Sequence, residues 1–369
     1  MALPPINLSN LEFQDIKDNI KSYISSQAEF TDYDFEGSAL STIIDLLAYN
    51  TYYQLVFQNI LVNEMFIDSA QKLESLKSHA KAHGFSIQTK YSSTMAVQFS
   101  NANSFSYNAY TAHQGRNPDG LVRKFYNLDA FSGEQGDSGF TSTQTLYEAQ
   151  TAVIKQQFTF NYVKQLCFIP NQSFDFRTLL VEVSTDGGES YQTYRRGNTV
   201  EPNIYSDNKI YYLESNANGY DVKFVSGMID PNTGGAIGDV LPSSTTVRIS
   251  YLIPSGSSGN GVTTLSADGT TTRTVLNTSA GGRTVTSTDN LKFFIPRSFA
   301  AQDRLVTAED IKAGLIAAGY AENQSEIILE TPNRGEVLVR TNYAGDNNNV
   351  ISYLYDKGIA GISYGWTGG

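Results

Sequence analysis

The chain has 369 residues, enough for two or three domains that each have a core of their own. It carries 26 Lys and Arg against 37 Asp and Glu, a formal net charge of -11. Because phosphates and anionic lipids are bound by clustered Lys and Arg, this charge disfavours nucleic acid and membrane surfaces as partners. The single cysteine, Cys167, excludes an internal disulfide and a cage of thiolate metal ligands. The first residues lack the basic and apolar regions of a signal peptide, and we expect a soluble protein.

Residues 1–88 have a helical pattern. Ser9 and Glu12 have the spacing of a capping box, and apolar residues then recur on one face, which predicts a helix over about 11–26. A short amphipathic helix later in this region is predicted to end near Gly84, because glycine favours helix C-termini.

The longest predicted helix, from Gly37 to Asn63, contains one charged residue, Asp45. Its apolar residues point to every side of a helical wheel, so the helix must be buried on most sides. The flanking segments are short and polar, and other subunits are therefore the expected cover. The alternative is that these residues pack only within their own chain. The predicted contact surface of a helical bundle comprises Leu40, Ile43, Ile44, Leu47, Tyr49, Tyr53, Val56, Phe57 and Ile60.

From about Lys90 the pattern alternates between apolar and polar residues, which predicts β-structure to about residue 299. Turn residues at 186–188 and 216–219 predict two hairpins. The glycine-rich stretch 255–261 (SGSSGNG) is predicted to be a loop or a linker within the β-region.

The last part of the chain returns to mixed structure, with the predicted order α-β-β-α-β. Thr307 and Asp310 have cap spacing and open a helix that is predicted to end at Gly319. The predicted fold is therefore a multidomain α+β protein. It comprises an N-terminal helical bundle segment (1–88), a central mainly antiparallel β domain (89–299) and a small C-terminal α+β domain (300–369).

Two histidine arrangements invite a catalytic or metal-binding interpretation. Residues 136–139 (GDSG) match the nucleophile loop of chymotrypsin-like proteases, but His113 is only 25 residues away from Ser138, whereas that fold places the two residues in different barrels. His79 and His83 lie one helical turn apart, but the glutamate of a zinc protease motif is missing between them. Both patterns are better explained as a turn and as solvated helix residues.

Two acidic segments also have structural explanations. The stretch that begins at Asp230 resembles a calcium loop, but Leu241 stands where a bidentate glutamate is required. Asp32, Asp34 and Glu36 precede the long helix, where the helix dipole favours carboxylates. We therefore expect no catalytic residue, no metal and no cofactor.

The stretch 33–70 resembles the N-terminal signature of baseplate wedge subunits of contractile-tailed bacteriophages, a T-even-type family within the baseplate J-like superfamily. Residues 247–261 and 304–311 resemble later segments of the same family. The signature residues are Gly37, Ser38, Ala39, Asn50, Asn63, Glu64, Met65, Phe66, Asp68 and Ser69.

This resemblance implies a structural protein of the virion tail baseplate, assembled in the host cytoplasm, and not an enzyme. It implies that the helices form a bundle with a second copy of the chain and with other wedge subunits. It also implies contacts with a sheath-initiator or hub-proximal protein, in a ring of wedges around the hub. A β-rich carbohydrate-binding or glycan-degrading tail protein is the alternative, because the chain has many Tyr, Asn and Gly turns.

Overall fold

A computed structural model describes most of the chain and divides it into two compact units, Met1–His79 and Ala80–Gly369. The predicted three-domain division at 88 and 299 stays a prediction. The described residues are 12–27, 38–83, 86–117, 120–136, 139–197, 209–216, 218–229, 236–238, 240–267, 269–284, 288–301, 304–321, 323–341, 343 and 347–367.

The first unit is helical. Its elements are α1 (Phe13–Ser25), α2 (Ala39–Glu64) and most of α3 (Leu73–Ala82). Helix α1 begins later than the sequence pattern predicts, because its N-cap is Glu12, whose amide donates to the Asp15 carboxylate at 3.1 Å. The predicted cap residue Ser9 lies outside the described residues.

Helix α2 has 26 residues and is therefore about 39 Å long at about 1.5 Å per residue. The Ser38 hydroxyl caps its first turn by accepting a hydrogen bond from the Ser41 amide at 3.0 Å. Helix α1 packs against α2, and the Lys17 ammonium lies 2.5 Å from the Asp45 carboxylate. Three α2 residues are buried, and they lie on one stripe of the helix: Ser41, Ile44 and Ala48.

The second unit consists mainly of strands. In chain order they are β1 (Lys90–Tyr91), β2 (Thr94–Asn101), β3 (Ser106–Tyr107), β4 (Ala112–Arg116), β5 (Val122–Tyr126), β6 (Phe131–Ser132), β7 (Glu134–Gly136), β8 (Gly139–Glu148), β9 (Thr151–Phe158), β10 (Phe160–Asn161), β11 (Leu166–Ile169), β12 (Leu180–Ser184), β13 (Gln192–Arg196), β14 (Ile210–Asn216), β15 (Gly219–Lys223), β16 (Val225–Ile229), β17 (Ala236–Gly238), β18 (Thr246–Ile253), β19 (Thr264–Leu265), β20 (Thr272–Val275), β21 (Arg283–Thr284), β22 (Ile328–Glu330), β23 (Glu336–Arg340) and β24 (Ser363–Trp366). Short 3₁₀ turns occupy Phe176–Thr178, Gly256–Gly259 and Gln324–Glu326.

Two large sheets dominate this unit. The first has the order β10-β11-β15-β14-β13-β12-β18-β9 and is antiparallel apart from the β13–β14 pair. The second has the order β19-β4-β5-β8-β2-β20, and β7 also pairs with β8. Both hairpins predicted from their turn residues are confirmed, as β12–β13 and β14–β15.

Each large sheet has its own apolar core, built by the alternation that the sequence shows. Val247, Ile249 and Tyr251 of β18 are buried in the core of the first sheet. In the second sheet the alternating residues of β2 are fully buried, together with Phe125 and Leu146. Strands of period two place every second side chain on the same face, and this explains both cores.

The glycine-rich stretch 255–261 is a tightly packed corner of the β-region rather than a linker. The buried carboxylate of Glu148, at the end of β8, accepts from the Ser255 amide at 3.2 Å. A Cβ atom on Gly259 would lie 2.7 Å from this carboxylate, so the close approach requires glycine. The Asn260 side chain exchanges two hydrogen bonds with the backbone of Gly282, at 2.8 and 2.9 Å.

The C-terminal region has the predicted order of elements, with helices α5 (Ala308–Ala317) and α6 (Asn347–Lys357) and the sheet β22-β23-β24. The predicted cap is confirmed, since the Thr307 hydroxyl accepts from the Asp310 amide at 3.1 Å. Gly319 follows α5 with a φ of 88°, as its position at the helix end requires.

One helix, α4 (Thr288–Ala301), was not predicted, and the assignment of residues 288–299 to β-structure is wrong. Pro296 lies inside this helix, and a proline at that place normally ends a helix, because it lacks an N–H group. The buried residues Leu291, Phe294 and Ile295 nevertheless have the spacing of one helical face.

Candidate functional site

Helix α2 exposes a large apolar surface, which makes it the strongest candidate site in the described chain. Its exposed apolar side chains are Ile43, Leu46, Leu47, Tyr49, Tyr52, Tyr53, Phe57, Ile60 and Leu61. Between Leu46 and Asn63 the helix contains no charged residue. An apolar surface of this extent is costly in water unless another surface covers it.

Part of this surface forms a regular stripe on the side of α2 that faces away from its buried residues. Tyr53 follows Ile44 by nine residues, which is two and a half helical turns, so the two side chains point in opposite directions. The spacings along the stripe are three, four, four and three residues, typical of the seam between packed helices. We call these five residues the apolar stripe: Leu46, Tyr49, Tyr53, Phe57 and Ile60.

The aromatic residues of the apolar stripe contact one another along the helix. The ring centroids of Tyr49 and Tyr53 are 4.5 Å apart, and those of Tyr53 and Phe57 are 6.4 Å apart. The hydrogen bond with the Tyr53 side chain raises the pKa of the Tyr49 hydroxyl. The rings therefore form a continuous row along the helix.

A column of amide side chains runs beside this aromatic row. Asn50, Gln54 and Gln58 each follow one aromatic residue by one position, and all three are exposed. Each aromatic residue of the row therefore has an exposed amide residue directly after it on the same helix. A substitution in one column can be compared with the same kind of substitution in the other.

The predicted bundle residues are not all available for contact. Ile44 is fully buried within the chain, unlike the surface position that the sequence analysis assigned to it. Leu40 and Val56 are half-buried, and the other six predicted residues are exposed. Leu46 belongs to the apolar stripe but not to the predicted set, because a helix that is apolar all round gives no sign of which side is covered. The bundle contact itself stays a prediction.

The turn between α2 and α3 explains several of the signature residues. The Glu64 carboxylate accepts from the backbone amides of Gln71 at 3.1 Å and Lys72 at 3.2 Å, and so caps the start of α3. The Ser69 hydroxyl donates to the Asn63 carbonyl at 2.8 Å. Asn63, Glu64 and Ser69 therefore hold the two helices in a fixed turn.

The charge of Glu64 is part of this turn. Burial disfavours the charged form, but the hydrogen bonds from Ser75, Gln71 and Lys72 outweigh it and lower the pKa of the Glu64 carboxyl. A ring nitrogen of His79 lies 3.0 Å from the Glu64 carbonyl oxygen at the end of α2. Glu64 thus bonds the end of α2 to α3 through both its side chain and its backbone carbonyl.

Residues 12–85 match a known family of protein domains, described as the helical domain of gp6-like baseplate wedge proteins. These residues are therefore similar to the helical domain of gp6-like baseplate wedge proteins. The matched range contains all of α1, α2 and α3, and with them the apolar stripe and the Glu64 turn. The resemblance drawn from residues 33–70 is confirmed.

The similarity to wedge proteins extends beyond the helical domain. The chain is 27% identical over 296 residues to baseplate wedge protein gp6 of Enterobacteria phage T4. This alignment covers 75% of the chain and 43% of the phage T4 protein, so the chain spans less than half the length of that relative.

Two solved structures from contractile machines are also similar. One is a chain of the anti-feeding prophage baseplate, with 11% identity and a TM-score of 0.32 over 98% of this chain and 80% of that chain. The other belongs to the TssK-TssF-TssG baseplate subcomplex of a type VI secretion system. It has 9% identity and a TM-score of 0.33 over 89% of this chain and 96% of that chain. Scores at this level do not indicate a common overall fold.

The side chains of His83 and His113 pack against aromatic rings. His113 is fully buried on β4, between the rings of Phe99 and Tyr107 at 5.2 and 5.3 Å, and its Nε2 lies 3.3 Å from Asn127 Oδ1. The ring of His83 contacts that of Phe299 at 5.2 Å. In the GDSG stretch, Gly136 and Gly139 pair across the β7–β8 hairpin, and the two residues between them lie outside the described part.

The other residues considered in the sequence analysis are the acidic segments, Gly37 and Cys167. The acidic group at 32–36, the Asp230 loop and Gly37 lie outside those residues. Cys167 is buried in the core of the first sheet, where burial raises the pKa of its thiol to about 12. Across the described ranges, no three His, Cys, Asp or Glu side chains are grouped to hold a metal ion. None of the described helices, α2 included, has the length and apolar content that crossing a bilayer needs.

Proposed function

We propose that this chain is a structural component of a phage tail baseplate wedge and that it joins its neighbours through the apolar stripe of α2. Its partners are a second copy of the chain and other wedge subunits, including a protein close to the hub or the sheath. It acts by assembly rather than by catalysis, and it resides in the tail of the virion after assembly in the host cytoplasm. The ring of wedges around the hub is part of the same proposal.

The observation that carries this proposal is the exposed aromatic row on a helix of the gp6-like family. Tyr49, Tyr53 and Phe57 are 53, 42 and 65% exposed. With about 200 Å² per aromatic side chain, these three alone leave roughly 300 Å² of largely apolar surface uncovered. Isolated patches of that size mark interaction sites on soluble proteins, and aromatic residues are the usual anchors of interfaces.

The charge distribution indicates the chemistry of the partner surface. Because α2 has no charged residue from 46 to 63, it offers no counter-ion to a charged partner. A buried charge without a partner is strongly destabilising. The stripe therefore fits an apolar helix, and the similarity to the phage T4 wedge protein supports wedge subunits as the source of that helix.

The test is co-purification of tagged chain with the neighbouring tail proteins, followed by native mass spectrometry. Tyr53→Asp places a charge in the aromatic row and is expected to abolish wedge formation. The matched control is Gln54→Asp, which adds the same charge one position away, in the amide column. If Tyr53→Asp captures the partners as well as Gln54→Asp does, with both variants equally helical, the proposed contact is wrong.

A further inference from the structure

The nine residues from Ser86 to Thr94 connect the end of the helical region to β2 of the second sheet. We call residues 86–94 the anchor segment. Apart from β1, two residues long, and Thr94, which begins β2, its backbone is irregular, yet Ile87, Ser92 and Ser93 are fully buried. An irregular segment normally lies on the surface, because its backbone polar groups need partners. The partners of this segment come from three different parts of the second unit.

The first set of contacts joins the anchor segment to the eight-stranded sheet. The Tyr220 hydroxyl donates to the Ile87 carbonyl at 2.7 Å, and the Thr89 hydroxyl donates to the Gln172 carbonyl at 2.7 Å. Asp175 accepts from the Gln88 side chain at 2.9 Å. The segment is therefore bonded at successive positions to β15 of this sheet and to the stretch that follows β11.

The second set joins the same residues to β21 and to the C-terminal region. Tyr91 pairs with Arg283 across β1 and β21, and the Arg283 guanidinium lies 4.4 Å from the centre of the Tyr91 ring. Gly319, at the end of α5, approaches the same ring so closely that a Cβ atom would lie 2.7 Å from it. The Tyr343 hydroxyl lies 3.5 Å from the Thr94 hydroxyl.

Asp175 is the central acceptor of this arrangement. It is fully buried and binds the Ser92 amide at 2.7 Å and the Arg177 guanidinium at 2.7 Å. Arg177 in turn lies 5.7 Å from the Tyr91 ring centre and 5.6 Å from that of Tyr147 on β8. This ion pair contacts the anchor segment and β8, and the Asp175 amide donates to the Leu252 carbonyl of β18 at 3.0 Å, so it touches both large sheets. Removing the carboxylate would leave the partly buried Arg177 guanidinium without its partner.

We propose that the anchor segment, held by Asp175, joins the two large sheets and the C-terminal region of residues 80–369, so that this unit responds to a pull as one cooperative body. The alternative is a hinge, at which the C-terminal region swings independently. The coupling goes beyond the proposed function and is testable on the isolated chain, so its failure would leave the wedge assignment intact.

The experiment is single-molecule pulling of the full chain between handles at its two termini. The wild-type second unit is expected to unfold in one step that releases about 1000 Å of chain, at about 3.6 Å per residue. Asp175→Asn is expected to lower the unfolding force and to divide this step, whereas the exposed Asp356→Asn is expected to behave like the wild type.

A second pair of variants tests the C-terminal link and avoids any general folding defect. Gly319→Ala adds a methyl group against Tyr91, and Gly361→Ala adds one at the same φ of 88° with no neighbour within 4 Å. Gly319→Ala should release residues from α4 onward in a separate early step of about 300 Å, and Gly361→Ala should not. Early release in the wild type, or identical traces for the two glycine variants, would overturn the coupling.

Discussion

Phe57→Ala tests the apolar stripe most directly, because Phe57 is 65% exposed in the chain and so has little to lose in folding. With about 200 Å² for the whole side chain, about 130 Å² is left for a partner to cover. At about 25 cal/mol per Å², complete burial of that area contributes about 3 kcal/mol to binding. The expected loss of affinity is therefore roughly 100-fold.

The measurement is the dissociation constant of the assembly by sedimentation equilibrium, over a range of chain concentrations with and without the partner subunit. Gln58→Ala is the matched control, since it truncates the next residue in the amide column and should change the constant less than about 3-fold. The reasoning is refuted if the two variants bind alike. It is equally refuted if Phe57→Ala lowers the melting temperature of the lone chain by more than several degrees, which would place the ring in an internal core.

Two further variants test the packed turns of the structure. Glu64→Gln removes the charge that caps α3 and should destabilise the helical domain by about 1 kcal/mol in urea unfolding at neutral pH. Because the pKa of the Glu64 carboxyl is lowered from its ordinary value of 4.5, its stabilisation is present above that pH and is lost as the pH falls below it; the variant should lack this dependence. Gly259→Ala forces a methyl group against the Glu148 carboxylate and should cost about 1–3 kcal/mol in thermal unfolding, whereas Gly136→Ala, whose nearest neighbour would be 3.7 Å away, should lose much less.

The sequence correctly predicted those elements that depend on residues close to one another along the chain. The Thr307 cap, the β12–β13 hairpin and the alternation of β18 all depend on residues within a few positions of one another. The family signature at 33–70 likewise identified the helical domain. The fold class could therefore be predicted without knowledge of any long-range contact.

The missed features depend on partners that are distant along the chain. Asp175 binds residues 83 and 87 positions away, and nothing in its local sequence distinguishes it from a surface aspartate. Glu64 caps α3 across a turn, through amides seven and eight positions further along the chain. The glycine-rich corner at 255–261 has the composition of a linker, and only its contacts with Glu148 and Gly282 show that it is fixed.

Helix α2 shows most clearly what the sequence could not predict. Its apolar residues lie on every side, so the sequence alone does not show which side packs against the rest of the chain. Asp45, the one charged residue in the body of the helix, pairs with Lys17 and lies next to the buried Ile44. The ion pair therefore marks the side that α1 covers, and the opposite side carries the apolar stripe, with no charged residue between Leu46 and Asn63. A helix that pairs its one charge with a neighbouring helix and leaves its aromatic residues exposed has the reverse of the pattern expected for a monomer in water. We therefore expect a partner on the apolar stripe to stabilise this helix in solution.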